Sequence, residues 1–81
     1  MLLKLLLVLA PQPEGGFTVT SPLLPELITE GDTAEEALDN VRDALAAVVE
    51  TYADLGRPLP ANLRQEDLHG PVWLETLVAA P

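Results

Sequence analysis

Residues 29–56, TEGDTAEEALDNVRDALAAVVETYADLG, predict one long helix with both of its ends marked in the sequence. Thr33 and Glu36 have the spacing of a capping box, in which the threonine hydroxyl accepts from the Glu36 amide while the glutamate reaches back. Gly56 supplies the left-handed residue that ends a helix, and Pro58 prevents the helix from continuing. We therefore expect a helix of about 22 residues between these signals.

The predicted helix has an apolar side and an acidic side. Apolar residues recur at steps of three and four, which forms one stripe suited to packing on a sheet. Acidic residues fall mostly on the other side, and those in the first turn suit the positive end of the helix dipole. The apolar stripe consists of Ala37, Leu38, Val41, Ala44, Leu45, Val48, Tyr52 and Leu55.

Three short runs before the helix predict strands. The leucine-rich residues 2–10 end at a turn that contains two prolines and two glycines. Phe17–Thr20 alternates apolar and polar residues and is expected to pair antiparallel with the first run. Leu27–Glu30 is a third candidate strand, closed by Gly31.

The first ten residues, MLLKLLLVLA, admit two interpretations. They have the apolar character of a signal peptide, but Lys4 interrupts the run instead of preceding it, and the run is too short to span a membrane. We interpret it as a strand buried on both faces, which favours a cytoplasmic protein. Because one helix covers one face of a sheet, a second copy would cover the other, so a homodimer or tetramer is expected.

Val72–Val78, rich in β-branched and apolar residues, predicts a fourth strand after a loop over residues 57–70. The order β-β-β-α-β defines a small α+β domain with one long helix on one face of a four-stranded sheet. The length allows a single domain, residues 1–81.

The charge balance narrows the classes of partner. Thirteen acidic residues against four basic ones leave a net charge of −9, which would repel nucleic-acid phosphates and attract a basic protein. Solubility alone is an equally plain explanation of the charge. No cysteine and a single histidine, His69, argue against disulfides and against a thiolate or imidazole metal site.

No catalytic, cofactor-binding or metal-binding residue emerges from the sequence. The acidic residues on the predicted helix could bind a cation, but the plainer interpretation is a solvated face, and we take them as candidates for binding a protein partner. His69 is expected at the surface, and Trp73 in the core or at an interface. The partner-binding candidates are Glu35, Glu36, Asp39 and Asp43.

The order of these motifs resembles the HicB family of antitoxins. The matching parts are a glycine-led strand, a proline-leucine turn, a Gly-Asp-Thr helix entry and a glycine-proline exit, and the chain departs from the pattern at Glu26, where the family usually has glycine. Gly31 is expected to let the chain reverse, Asp32 and Thr33 to cap the helix, and Ala37 to let it sit close to the sheet. The fold-defining residues are Gly16, Gly31, Asp32, Thr33, Glu36 and Gly56.

The resemblance implies a partial RNase H-like fold that blocks a small basic HicA-type toxin acting on mRNA, in a type II toxin-antitoxin system. Many members of the family also have a C-terminal DNA-binding domain. The chain after Pro60 is short and has Arg64 as its only basic residue, so we expect no such domain and no direct binding of nucleic acid.

Two other functions stay open on the sequence alone. An orphan oligomer would keep the fold in a structural or regulatory role without a toxin. A ligand-binding or enzymatic domain would use a pocket at a dimer interface, and it would need polar residues that converge on that pocket.

Overall fold

The structure is a computed structural model that describes residues 2–65 and 69–81. Met1 and the part of the predicted loop at residues 66–68 lie outside the described residues. Three strands precede one long helix, and a single turn of 3-10 helix follows at Ala61–Leu63. The strands are β1 (Val8–Pro11), β2 (Phe17–Thr20) and β3 (Ile28–Gly31), and the helix is α1 (Ala34–Asp54).

The three strands form an antiparallel sheet in the order β1-β2-β3. In the register, Leu9 pairs with Val19 and Val19 pairs with Thr29, so these three residues share one face. Val19 is completely buried, which identifies this face as the one that packs against α1. The alternate residues of each strand therefore point away from the helix.

Two glycines make the tight connection between β1 and β2. Gly15 and Gly16 have φ angles of +102° and +81°, a region that side chains disfavour. The backbone of Gln12 closes the turn, because its N–H donates to Gly16 O at 2.9 Å and its carbonyl accepts from Gly15 N at 3.0 Å. The predicted turn and the second strand are confirmed.

The capping box predicted at the start of α1 is confirmed. The Glu36 N–H donates to Thr33 Oγ1 at 3.0 Å, and the Glu36 carboxylate reaches back to accept from the Asp32 N–H at 3.4 Å. Thr33 is the N-cap residue, with an extended backbone. The Glu36 amide is one of those that the helix itself leaves without a partner, whereas the Asp32 amide precedes the N-cap residue.

The C-terminal end of α1 is also the predicted one. Gly56 has a φ angle of +66°, and its N–H donates to Ala53 O at 3.1 Å. The Arg57 N–H donates to Tyr52 O at 2.9 Å, and the two bonds together form a Schellman motif around the C-cap residue Leu55. The helix has 21 residues, one fewer than expected.

Gly31 has a different role from the one the sequence suggests. Its φ angle lies outside the left-handed region, so chain reversal does not require glycine here. A Cβ atom at Gly31 would lie 2.7 Å from Ala37 Cα and 2.9 Å from the Glu36 carbonyl carbon. Glycine is needed because the end of β3 touches the backbone of the first helical turns.

The core lies between the inner face of the sheet and α1. Ala37, the residue expected to allow close packing, is completely buried against the sheet. Leucines 3, 5, 7 and 9 of the N-terminal segment are half-buried against this core. The buried core residues are Val19, Leu24, Leu27, Ala37, Val41, Val48, Tyr52 and Leu63.

The N-terminal segment departs from the predicted strand. Only Val8–Pro11 joins the sheet, while Leu3 forms an isolated bridge with Arg64. The segment was expected to be buried on both of its faces. In the single chain this expectation is wrong, because Leu2 and Leu6 are 55% and 61% exposed. The alternation of exposed and half-buried residues shows that a single helix covers one face only.

The predicted fourth strand is absent from the structure, and the sheet has three strands over the described residues. Residues 72–78 have no regular secondary structure, and Trp73, expected in the core or at an interface, is 87% exposed. High β-propensity makes a strand only where a partner edge completes the hydrogen bonds. Residues 73–77 line open cavities beside residues 4–9 without pairing to them.

Over the described residues, no helix is long and apolar enough to cross a membrane.

The close contact at Gly31 predicts the effect of adding one methyl group. Gly31→Ala should lower the free energy of unfolding by about 1–3 kcal/mol, because the new Cβ would force β3 and α1 apart. Urea denaturation measures this change. Gly70→Ala is the matched control, since a Cβ there meets nothing within 4 Å, and equal effects of the two substitutions would contradict the packing argument.

Candidate protein-binding surface

The exposed side of α1 carries a row of carboxylates. Glu35, Asp39 and Asp43 follow one another at steps of four residues, so they lie one above the other on one side of the helix. All three are exposed. With Glu36, also exposed, they form what we call the acidic face, and these are the four residues predicted to bind a partner.

The acidic face does not contribute to the stability of the helix as a whole. Carboxylates four residues apart repel each other and destabilise a helix by a few tenths of a kcal/mol per pair. The helix dipole favours Glu35 in the first turn, but it falls off before Asp39 and Asp43. Arg42 is the only basic residue within α1. Arg42 lies three residues from Asp39 and offsets part of this repulsion, so the row is a net negative, exposed surface of the helix.

Glu36 differs from the other three residues because it completes the capping box. Its carboxylate accepts from Asp32, which turns it towards the β1–β2 turn. There it lines a polar cavity of about 350 Å³ together with Gly16, Glu30 and Asn40. The Asn40 side chain donates to Glu30 O at 2.8 Å and holds α1 to the end of β3. Glu36 therefore has a structural role, and Glu35, Asp39 and Asp43 remain free to meet a partner.

The acidic face is bordered by apolar side chains. Glu35 and Asp39 line an open cavity of about 650 Å³ with Leu38, and the chain near the C-terminus contributes Leu77 and Val78 to the same cavity. Leu77 and Val78 are 66% and 79% exposed. Apolar surface next to charge is typical of protein–protein interfaces, in which an apolar centre is surrounded by a polar rim.

The carboxylates of α1 do not assemble a metal site. Over the residues that the structure describes, no three histidine, aspartate or glutamate side chains are placed to hold an ion together. His69, predicted at the surface, is exposed. The acidic face and its apolar border therefore offer a protein partner charge and apolar contact.

A contact that the sequence did not reveal joins the loop before β3 to the end of α1. The Tyr52 hydroxyl donates to Glu26 Oε1 at 2.9 Å, and the Arg57 guanidinium carbon lies 4.9 Å from the centre of the Tyr52 ring. Glu26 is the position at which the chain departs from the motif pattern described above, and this departure was the one available signal. The departure provides an acceptor for a buried tyrosine.

The same contact shifts both pKa values. Hydrogen bonds from its own backbone and from Tyr52 lower the pKa of the Glu26 carboxyl. Because the Glu26 carboxylate accepts a hydrogen bond from the Tyr52 hydroxyl, it raises the pKa of that hydroxyl, and burial raises it further. The stabilisation is therefore complete near neutral pH. It is lost in acid as Glu26 is protonated below the usual glutamate range, and in base as Tyr52 ionises above the usual tyrosine range.

The pKa of Tyr52 can be measured directly, because the chain has one tyrosine. Alkaline titration followed by tyrosinate absorbance should give a pKa above the ordinary tyrosine value in the wild type. In Glu26→Gln the pKa should fall towards that ordinary value, since the charged acceptor is gone. Glu14→Gln, at an exposed carboxylate in the β1–β2 turn, should leave the titration unchanged. Identical curves for the wild type and Glu26→Gln would contradict the contact.

Comparison with known proteins identifies the family of this chain. The fold and the acidic face define a small α+β protein suited to binding another protein. No protein-family model matches the chain. Antitoxin HicB 1 of Photorhabdus laumondii is 40% identical over 72 residues, 86% of this chain and 46% of that relative. Antitoxin HicB of Escherichia coli K12 is 38% identical over 61 residues, 73% of this chain and 44% of that relative.

The chain belongs to the HicB-like antitoxin family, which confirms the resemblance seen in its motifs. It spans about half the length of the antitoxins it matches. A further relative, UPF0150 protein Ta0767 of Thermoplasma acidophilum, is 28% identical over 64 residues, 79% of this chain and 93% of that protein.

Proposed function

We propose that this chain is an antitoxin domain of a type II system that binds and neutralises a small basic toxin of the HicA type. The observation that carries the proposal is the acidic face, with Glu35, Asp39 and Asp43 exposed in one row beside apolar side chains. Its relatives are named antitoxins, and an antitoxin requires a toxin partner. The partial RNase H-like fold and self-association belong to the same proposal.

Charge gives the acidic face its selectivity for a basic partner. A net charge of −9 on 81 residues raises the rate of encounter with a basic protein over distances of about 8–10 Å at moderate salt. Once the two proteins are in contact, the lysines or arginines of the partner replace the repulsion between neighbouring carboxylates with ion pairs. Binding the toxin therefore relieves an unfavourable interaction within α1.

We further propose that the chain acts by occlusion and not by catalysis. RNase H chemistry uses a metal-binding carboxylate on the first strand. Residues 2–10 contain no aspartate or glutamate, and β1 presents leucine, valine and alanine instead. Glu35, Asp39 and Asp43 of α1 are exposed, so they can meet a protein surface.

Charge reversal on the acidic face tests the proposal. The partner to use is the protein encoded by the reading frame that adjoins the gene, which the proposal requires to be small and basic. Glu35→Lys, Asp39→Lys and Asp43→Lys should each raise the Kd for that protein about tenfold, or about 1.4 kcal/mol, mainly through slower association. Calorimetry at low and high salt measures the change, which should shrink as salt rises.

Glu14→Lys is the matched control for the change in net charge, because Glu14 is exposed in the β1–β2 turn and lies outside the acidic face. Its effect on the Kd should stay within about twofold. A Kd that all four substitutions change equally would show that only the total charge matters. A partner that binds tightly and is unaffected by the three reversals would overturn the proposed surface.

The alternative function is an orphan oligomer of this fold with no toxin. Exposed apolar side chains on the sheet and on the segment before it, including Leu6, Val8 and Ile28, favour it. Co-expression with the adjoining reading frame, followed by native mass spectrometry, separates the two functions. A basic protein in the complex supports the antitoxin, whereas a pure homo-oligomer without growth rescue supports the orphan.

A further inference from the structure

Over the described residues, no helix or strand packs on the outer face of the sheet. Val8 pairs with Thr20 and Thr20 pairs with Ile28, so these residues form one row on the side opposite to α1. The alternation of the N-terminal segment continues this side to Leu6 and Leu2. The outer face, as we define it, consists of Leu2 (55% exposed), Leu6 (61%), Val8 (47%) and Ile28 (65%).

The outer face is almost without charge in a strongly acidic molecule. The alternation places Lys4 within it, between Leu2 and Leu6, and the register places Glu30 at its other end. The other described acidic residues lie on α1, in the connections between elements, or near the C-terminus. The charge of −9 is therefore concentrated away from this side of the sheet.

This distribution of charge indicates which kind of molecule can cover the outer face. Two copies of a chain with a net charge of −9 repel each other wherever their acidic surfaces meet. The outer face is where two copies can approach with apolar contact and little repulsion, and one face serves both partners in a two-fold dimer. A basic partner gains no ion pairs there beyond Glu30, whereas it gains several on the acidic face.

The size of the outer face sets the strength of the contact. The extended segment from residue 2 to residue 11 is about 33 Å long, and the axes of three strands span about 10 Å. The outer face therefore covers a few hundred Å² on each copy, below the roughly 800 Å² per partner of a standard interface, which fits a weak and transient contact. We expect a dimer that dissociates in the micromolar range.

Trp73 lies next to the end of this face. It is 87% exposed and lines an open cavity of about 530 Å³ with Leu6 and Leu23. Tryptophan contributes more to interfaces than most residues, because it buries a large area at small entropic cost. A second copy that covers the outer face would bring surface close to Trp73 and exclude water from it.

We propose that two copies of this chain associate through the outer face of the sheet, with Trp73 at the rim of the contact. The inference deepens the self-association proposed above. It does not depend on the identity of a toxin, and it assigns the two partners to two different sets of residues, which adjoin where Leu6 and Asp39 line one open cavity.

Sedimentation equilibrium of the full chain tests this inference with three variants. The wild type should show a monomer–dimer equilibrium, and Ile28→Lys and Leu6→Lys should each raise the dimer Kd at least about a hundredfold by placing an unpaired charge in the contact. Leu55→Lys is the matched control, because Leu55 is an apolar residue of equal exposure, 63%, at the far end of α1. It makes the same change in net charge and should leave the dimer unchanged.

Ile28 and Leu6 are mostly exposed in the single chain, so their substitution removes little core packing, and circular dichroism checks that each variant is folded. Fluorescence gives a second measurement, since Trp73 is the only tryptophan and its emission should shift to shorter wavelength as the wild-type protein is concentrated. A wild type that stays monomeric at hundreds of micromolar would overturn the proposal. So would a dimer that survives Ile28→Lys and Leu6→Lys but is lost in Leu77→Lys, which would place the contact on the opposite side of β1.

Discussion

The position of α1 depends on the contact between Gly31 at the end of β3 and Ala37 in the second turn of the helix. Two small residues let the helix backbone come close enough to the sheet for Val19 and Val41 to be buried between them. The capping box fixes the first turn, and Asn40 ties the next turn to β3 through the Glu30 carbonyl. The start of α1 is therefore held rigidly, and the acidic face begins in that same turn.

The rigid start of the helix has a consequence for binding. Glu35 and Asp39 follow directly after the fixed cap, so their side chains project from a backbone that does not have to become ordered when a partner arrives. The far end of α1 is held by the Tyr52–Glu26 contact. Glu30 is the only acidic residue within the three strands, so the outer face of the sheet carries little charge. One small domain thus presents two chemically different surfaces.

The sequence predicts those parts of the fold whose signals are local. The capping box, the Gly56 end and the β1–β2 turn depend on neighbouring residues and were all predicted correctly. The fourth strand was not, because pairing depends on an edge far away in the sequence, and residues 72–78 find none. Gly31 was correctly identified as a residue that the fold requires, but for the wrong reason. Its role is the close contact between the end of β3 and Ala37 of α1, which chain reversal does not explain. The Glu26–Tyr52 pair spans 26 positions, which no local pattern reports.

The central claim is that the acidic face of α1 is the surface that meets a protein partner. Amide chemical-shift mapping of isotope-labelled chain, titrated with the basic protein of the adjoining reading frame, tests it most directly. The account predicts the largest shifts at residues 35–43 and at Leu77 and Val78, with Thr20 and Ile28 unmoved. Shifts centred on Val8, Thr20 and Ile28, with residues 35–43 unaffected, would contradict it.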